Sequence, residues 1–183
     1  KNLVTCDMFS FNIDVCFYSA SSIKFLVCLY IYEQAENNVS LLDTKIKLLP
    51  EDFKSGSGIL KDNLDIVEYT VRDLIYYTLK ESDNTAYIKL VKFVTKEKLR
   101  EYGLSLGAIH TMEGKDEFGI INASDMLVYL SHMADYFSKN TILSNELKNN
   151  MLDPSYQIIK SKNVGNNKFV RKYGSFGIAF HEV

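Results

Sequence analysis

From Ser22 to Gln34 the chain runs without a glycine or proline, and Phe25 to Tyr32 (FLVCLYIY) is unbroken apolar sequence closed by Lys24 and Glu33. A segment that is apolar on every side has to be buried on most sides. The run is far shorter than the roughly 20 residues that cross a bilayer. It therefore specifies a helix inside a globular core, against which other elements must pack. The remaining sequence can supply them: 46% of the 183 residues are apolar, 24% are charged and only 2 are proline. That profile excludes disordered and fibrous classes. The length suits one domain (residues 1–183), and no repeat, low-complexity tract or proline-rich linker divides it. A formal net charge of -2 leaves no global positive field for nucleic acid or an anionic membrane.

Cys6, Cys16 and Cys28 are odd in number and cluster in the first 28 residues, so they define no closed disulfide framework. His110, His132 and His181 are far apart and lack metal-ligand spacing, so no metal is implied. The chain begins at Lys1 with no initiator Met and no basic-then-apolar secretory leader, as a processed or trimmed chain would.

Alternation at Phe9, Phe11, Ile13, Val15 and Phe17 predicts a half-buried strand ahead of the apolar helix. Leu42 to Leu60 reads as a loop-rich crossing with a short strand at Lys45 to Leu49. Thr70 and Asp73 form a capping pair that opens a helix running to about Glu81. Further helices are predicted over Thr85 to Phe93, over Thr95 to Tyr102 with a stop at Gly103, from Asn122 and Ser124 to Phe137, and from Ser144 to Leu152 before Asp153-Pro154. The tail alternates through Phe169, Arg171 and Tyr173, then Phe176, Ile178 and Phe180, as two adjacent strands around Gly174 to Gly177 would. Helices in the middle with strands at both ends favour α+β over a doubly wound α/β sheet.

Three short patterns carry chemistry. Ser21-Ser22-Ile23-Lys24 puts a hydroxyl and an amine on one face at the head of the apolar helix. A serine becomes nucleophilic when a neighbouring base takes its proton, and a lysine desolvated by an apolar helix can be that base. An N-cap serine with a solvated lysine would look the same. Ser82-Asp83-Asn84 follows a helix end, where a second hydroxyl can relay a proton and an amide can hold an acyl group. The same trio is also a common cap-and-turn cluster. Lys172-Tyr173-Gly174 lies on a late strand, where lysine can attract a carboxylate and glycine admits close backbone approach.

In this order and context, the three patterns resemble the Ser-x-x-Lys, Ser-Asp-Asn and Lys-x-Gly signature of class A β-lactamases and penicillin-binding proteins. The resemblance extends from about Val15 to the end. It is supported by Phe17-Tyr18-Ser19-Ala20, Gly56-Ser57-Gly58-Ile59-Leu60 and Tyr69-Thr70-Val71-Arg72-Asp73-Leu74. It implies a β-lactamase/transpeptidase-like fold, a helical cluster on an antiparallel sheet. It also implies a serine hydrolase of the cell envelope or exterior, with no cofactor or metal, that takes a small β-lactam or D-Ala-D-Ala-like peptide. By resemblance Ser21 is acylated, Lys24 deprotonates it and Ser82 passes a proton to the leaving nitrogen. Asn84 holds the acyl side chain, Lys172 attracts the carboxylate beside Gly174, and the backbone of Ser21 and Ser175 forms the oxyanion hole. Asp83 is structural. Cys28 and His181 read as structural rather than catalytic.

Two departures stand out. Tyr173 replaces the short hydroxyl residue between the lysine and the glycine, and no Glu-x-x-Leu-Asn supplies a deacylating base. The segment between Ala108 and Asn122 is shorter than the β-lactamase pattern, and its carboxylates are Glu113, Asp116 and Glu117. Without such a base the chain would behave as a slowly deacylating D,D-peptidase or penicillin-binding relative, or as a catalytically silent envelope-binding domain. With only twenty residues before Ser21 and nine after Gly174, the sequence predicts a fold incomplete at both ends and marked by exposed apolar surface.

Overall fold

The computed structural model describes residues 1–63, 68–152, 154–158 and 169–183. The apolar run becomes α1 (Lys24–Ala35), entered through a 3-10 turn at Ala20–Ile23. Phe25, Leu26, Cys28, Leu29 and Tyr32 are each 0% exposed. Around α1 pack α2 (Val71–Lys80), α3 (Asn84–Val94), α4 (Lys96–Leu106) and α6 (Ile142–Met151), while α5 (Ala123–Ser138) lies against α4 and α6.

The starts of α2 to α6 are each fixed by a side chain that satisfies an otherwise unpaired N–H group, whereas α1 continues from the 3-10 turn without a side-chain cap. Thr70 and Asp73 cap α2 reciprocally, as the sequence predicts. Asp83 accepts from Ala86 N at α3, Asn122 from Asp125 N at α5 and Thr141 from Ser144 N at α6. The last helix therefore begins at Ile142 under a Thr141 cap, not at Ser144. It ends at Met151, and the proposed stop at Asp153 lies outside the described residues.

Among the described residues the strands form three two-stranded antiparallel sheets: β1 (Phe17–Tyr18) with β4 (Ile120–Ile121), β2 (Lys45–Lys47) with β3 (Glu68–Thr70), and β5 (Tyr173–Phe176) with β6 (Ala179–Glu182). The fold is α+β, as expected, although the β2–β3 pair places strands in the middle of the chain as well as at its ends. Three local expectations are corrected. The alternating N-terminal segment is not a strand before Phe17; Phe9 and Phe11 are 91% and 80% exposed. Helix α4 runs through Gly103 to a left-handed Gly107. Gly103 is there because a Cβ would lie 2.0 Å from Thr111 Oγ1 and 2.8 Å from Tyr129 Oη. In the tail Gly174 sits inside β5 and the turn falls at Gly177–Ile178.

The β5–β6 hairpin is the element that positions the site. Its β5 strand packs directly on the Ala20–Ile23 turn. A Cβ on Gly174 would lie 2.7 Å from Ser22 N and 3.0 Å from His181 Nε2, so glycine allows this approach. His181 Nε2 donates to Ser19 O at 2.7 Å, which closes the hairpin onto the turn.

Candidate active site

Ser21 stands in a turn held from three directions. Ser19 N donates to Gly119 O at 3.0 Å and Ser19 Oγ to Phe118 O at 2.6 Å, which ties the turn to the segment before β4. Ser19 O accepts from Ser22 N, Ser22 Oγ and His181 Nε2. Between them Ala20 adopts φ 45°, a left-handed conformation that costs a non-glycine residue about 1–3 kcal/mol and persists only where the surroundings impose it. Ser21 itself is 8% exposed and lines a cavity of about 240 Å³.

The two lysines converge behind that cavity. Lys24 is fully buried, and its Nζ donates to Ser82 O and to Asn84 Oδ1 (2.8 Å), with Ser82 Oγ 3.4 Å away. Lys172 is 2% exposed, and its Nζ donates to Ser82 Oγ at 2.8 Å and to Tyr173 O at 2.9 Å. Ser82, with φ 51°, is thus held in a left-handed conformation with its hydroxyl between two amines. Among the described residues the hydrogen bonds of Lys24 Nζ go to Ser82 and Asn84, not to Ser21 Oγ.

Burial removes water from both amines and disfavours their charged forms. Lys24 is pushed well below the ordinary lysine range, first by desolvation and then by the charge of Lys172. Desolvation lowers Lys172 from 10.5 to about 7. An unfolded chain takes up these protons at higher pH than the native one, so stability rises with pH across this window. The urea midpoint is expected to increase between pH 7 and about 9. Above the ordinary tyrosine value of 10 the trend should reverse, because burial pushes Tyr87 far up and the unfolded chain ionises first.

Asn84 and Asp83 hold the rim. Asn84 Nδ2 donates to Ser55 O at 2.9 Å and Asn84 N to Ser57 O at 3.0 Å, anchoring the Ser55–Gly58 loop. Asp83 accepts from Leu60 N and Ala86 N, each at 2.9 Å, which is structural work. Ser175 lines the cavity with Ser21 and Asn84, and Tyr18, Phe118 and Phe176 form an aromatic side.

None of the three carboxylates between Ala108 and Asn122 lines this cavity, although Asp116 hydrogen-bonds Tyr18 at its aromatic side. Glu113 pairs with His110 at 3.3 Å, and Asp116 Oδ1 accepts from Phe118 N and Gly119 N. Glu117 takes part through its carbonyl, which accepts from Tyr87 Oη at 2.7 Å. Aromatic rings stand near Lys24 instead: the centroids of Phe118 and Tyr87 are each 5.6 Å from its Nζ and 5.0 Å from one another. Periodicity could not reveal Phe118, because it lies in a polar loop; Tyr18 was visible only through its place beside the Ser21 turn. Among the described residues no group of three or more His, Cys, Asp or Glu side chains could hold a metal.

In this fold a hydroxyl is shared by two desolvated lysines, close to a pocket serine. The chain belongs to the Beta-lactamase enzyme family, which matches residues 1–182. No curated protein matches it. Among solved structures it is similar to PBP-A (TM-score 0.81, 15% identity, 93% of this chain and 67% of that one). It is also similar to a class A β-lactamase from Mycobacterium abscessus (TM-score 0.76, 16% identity, 94% and 70%). A β-lactamase from Sphaerobacter thermophilus DSM 20745 gives TM-score 0.73 and 21% identity over 91% and 67%. At these identities the likeness is one of fold, and the chain spans 67–70% of these structures.

Proposed function

We propose that this protein is a serine acyl-transfer enzyme that opens β-lactams onto Ser21 and releases the acyl group slowly. The observation that carries the reading is Ser82 Oγ, bonded by Lys172 and within 3.4 Å of Lys24, next to a pocket serine, with no carboxylate among the described residues that line the pocket.

Ser21 Oγ attacks the amide carbonyl and its proton passes to Lys24, which burial keeps neutral. Lys24 returns that proton through Ser82 to the departing nitrogen as the C–N bond breaks. The backbone N–H groups of Ser21 and Ser175 receive the developing oxyanion. Lys172 holds Ser82 in line, and Gly174 lets β5 come close enough to do so. Asn84 keeps the rim loop in place for the acyl group.

Hydrolysis of the ester needs a base to activate water on the Lys24 side. There the structure offers the rings of Phe118 and Tyr87, so the ester persists. This favours the penicillin-binding reading over rapid β-lactam destruction. In support, the structure of a PBP-A variant similar to this chain was solved as an acyl-enzyme complex with penicillin G. We place its action in the cell envelope or outside the cell, where such acyl donors are met.

Exposure to benzylpenicillin followed by intact-mass measurement and peptide mapping tests this. One penicilloyl adduct on Ser21 that survives for hours is the expected result. Rapid turnover without an accumulating adduct would overturn slow release, and absence of both adduct and turnover would overturn acyl transfer.

A further inference from the structure

Slow release of an acyl group has two origins, a missing base or a missing water, and the surroundings of Lys24 separate them. Its Nζ is fully buried and donates to Ser82 O and Asn84 Oδ1. An uncharged amine has two hydrogens and one lone pair, so with both hydrogens on these oxygens the lone pair is left to accept a proton. Desolvation favours that uncharged form. Acylation also ends with Lys24 uncharged, because its proton leaves on the nitrogen through Ser82. A base is therefore at hand, and what stands next to it is a ring.

Phe118 lines the cavity with Ser21, and its ring centroid lies 5.6 Å from Lys24 Nζ, so one ring belongs both to the pocket wall and to the surroundings of the amine. Tyr87, 1% exposed, backs it at 5.0 Å, and Tyr18 flanks it at 6.2 Å. The loop that carries the ring is tied at Glu117, Phe118 and Gly119. Tyr87 Oη donates to Glu117 O at 2.7 Å, and Phe118 N and Gly119 N donate to Asp116 Oδ1 at 2.9 and 2.8 Å. Ser19 gives its hydroxyl to Phe118 O and its N–H to Gly119 O. Gly119, at φ 69°, passes so close to Met112 that a Cβ would lie 2.5 Å from its carbonyl carbon. An ordered water needs about 30 Å³ and two or more polar partners, and a clamped ring beside the amine provides neither.

We infer that Phe118, clamped by Tyr87, Asp116 and Ser19, is the wall that keeps water from the Lys24 side of the ester and so sets the lifetime of the acyl-enzyme. This rests on the acyl-enzyme reading and adds to it the residue that controls release. With the wall removed, a water oxygen bonds to the acyl carbonyl carbon and one water proton passes to Lys24 Nζ. The C–O bond to Ser21 then breaks, and Ser21 Oγ takes that proton from Lys24, leaving free serine and a carboxylic acid.

Parent, Phe118→Ala, Phe118→Leu and Tyr87→Phe proteins are labelled to completion with benzylpenicillin, freed of excess drug and placed in ¹⁸O-water, and decay of the Ser21 adduct is followed by intact mass. Because decay is read after labelling, changes in acylation rate do not enter. Phe118→Ala keeps the backbone bonds of the loop and opens room beside the amine. Its adduct is expected to decay at least about tenfold faster, short of the roughly 10²–10⁴ that a positioned base contributes, because the water is not otherwise oriented. The released penicilloate should carry one ¹⁸O. Phe118→Leu keeps the place apolar and should stay within about threefold of the parent. Tyr87→Phe frees Glu117 O and should decay about fivefold faster, the worth of one hydrogen bond. A lasting parent adduct with Phe118→Ala decaying at the parent rate, or with Phe118→Leu decaying as fast as Phe118→Ala, overturns this inference and leaves the acyl-enzyme reading standing. Should Phe118→Ala fail to be labelled, Tyr87→Phe decides: faster decay supports the wall and the parent rate overturns it. A parent that forms no lasting adduct overturns slow release and this inference together.

Discussion

Replacing Lys24 by methionine should slow penicillin acylation of Ser21 by about 10²–10⁴-fold, the range a general base contributes. Methionine keeps the volume and removes the amine. The amine is the group that burial holds ready to accept a proton, and its positive form is further disfavoured by Lys172. The folded state should survive. Loss of the amine leaves Asn84 Oδ1 and Ser82 O without their Lys24 bonds, a cost of about 1–3 kcal/mol. Removal of a desolvated amine from the core offsets part of it. Adduct formation followed in time, with a thermal melt of the same sample, distinguishes lost chemistry from lost structure. A Lys24→Met protein that is labelled at the parent rate would assign the base to Lys172 acting through Ser82.

A single methyl group at Gly58 should be highly damaging although it touches none of the reacting groups. Gly58 adopts φ 106°, and a Cβ there would lie 2.1 Å from Asp83 Oδ2 and 2.4 Å from Asp83 Cα. Backbone cannot give way as a side-chain tip can. The rim loop must shift, and the bonds from Leu60 N and Ala86 N to the Asp83 carboxylate are disrupted with it. Conformational strain plus overpacking amounts to about 3–5 kcal/mol, or a fall of about 10 °C in Tm for a chain of this size. Gly177→Ala is the control: its φ of 56° is also left-handed, but nothing lies within 4 Å of the added Cβ. Its cost should stay near 1 kcal/mol. Equal melting temperatures for the two variants would contradict the close packing of Gly58 on Asp83.

Most helices were legible because their signals are local: the apolar run of α1, the Thr70–Asp73 capping pair of α2 and the Asn122 cap of α5 act within one or two turns. The N-terminal alternation misled because a strand needs a ladder partner. Only Phe17 and Tyr18 find one, in Ile121 and Ile120. Gly103 misled because the same residue that ends helices also permits close packing inside them. In the site, the motifs named Ser21, Lys24, Ser82, Asn84, Lys172 and Gly174, and the fold brings them together. Sequence spacing could not show that both lysines aim at Ser82, since those contacts span 58 and 90 residues. Nor could it show that Phe118 stands near Lys24 where a base was sought among Glu113, Asp116 and Glu117.

The bond from His181 to Ser19 joins residues 162 positions apart, and Gly174 rests on the backbone of Ser22. Contacts this distant in sequence are the last to form, because the intervening chain must already be ordered before closure is favourable. Helices α1 to α3 can assemble from neighbouring segments while the Ser21 turn still lacks its clamp. During synthesis the Ser21 turn is therefore clamped only once the hairpin has emerged and docked. A cut within that hairpin would release the turn while sparing the helical core.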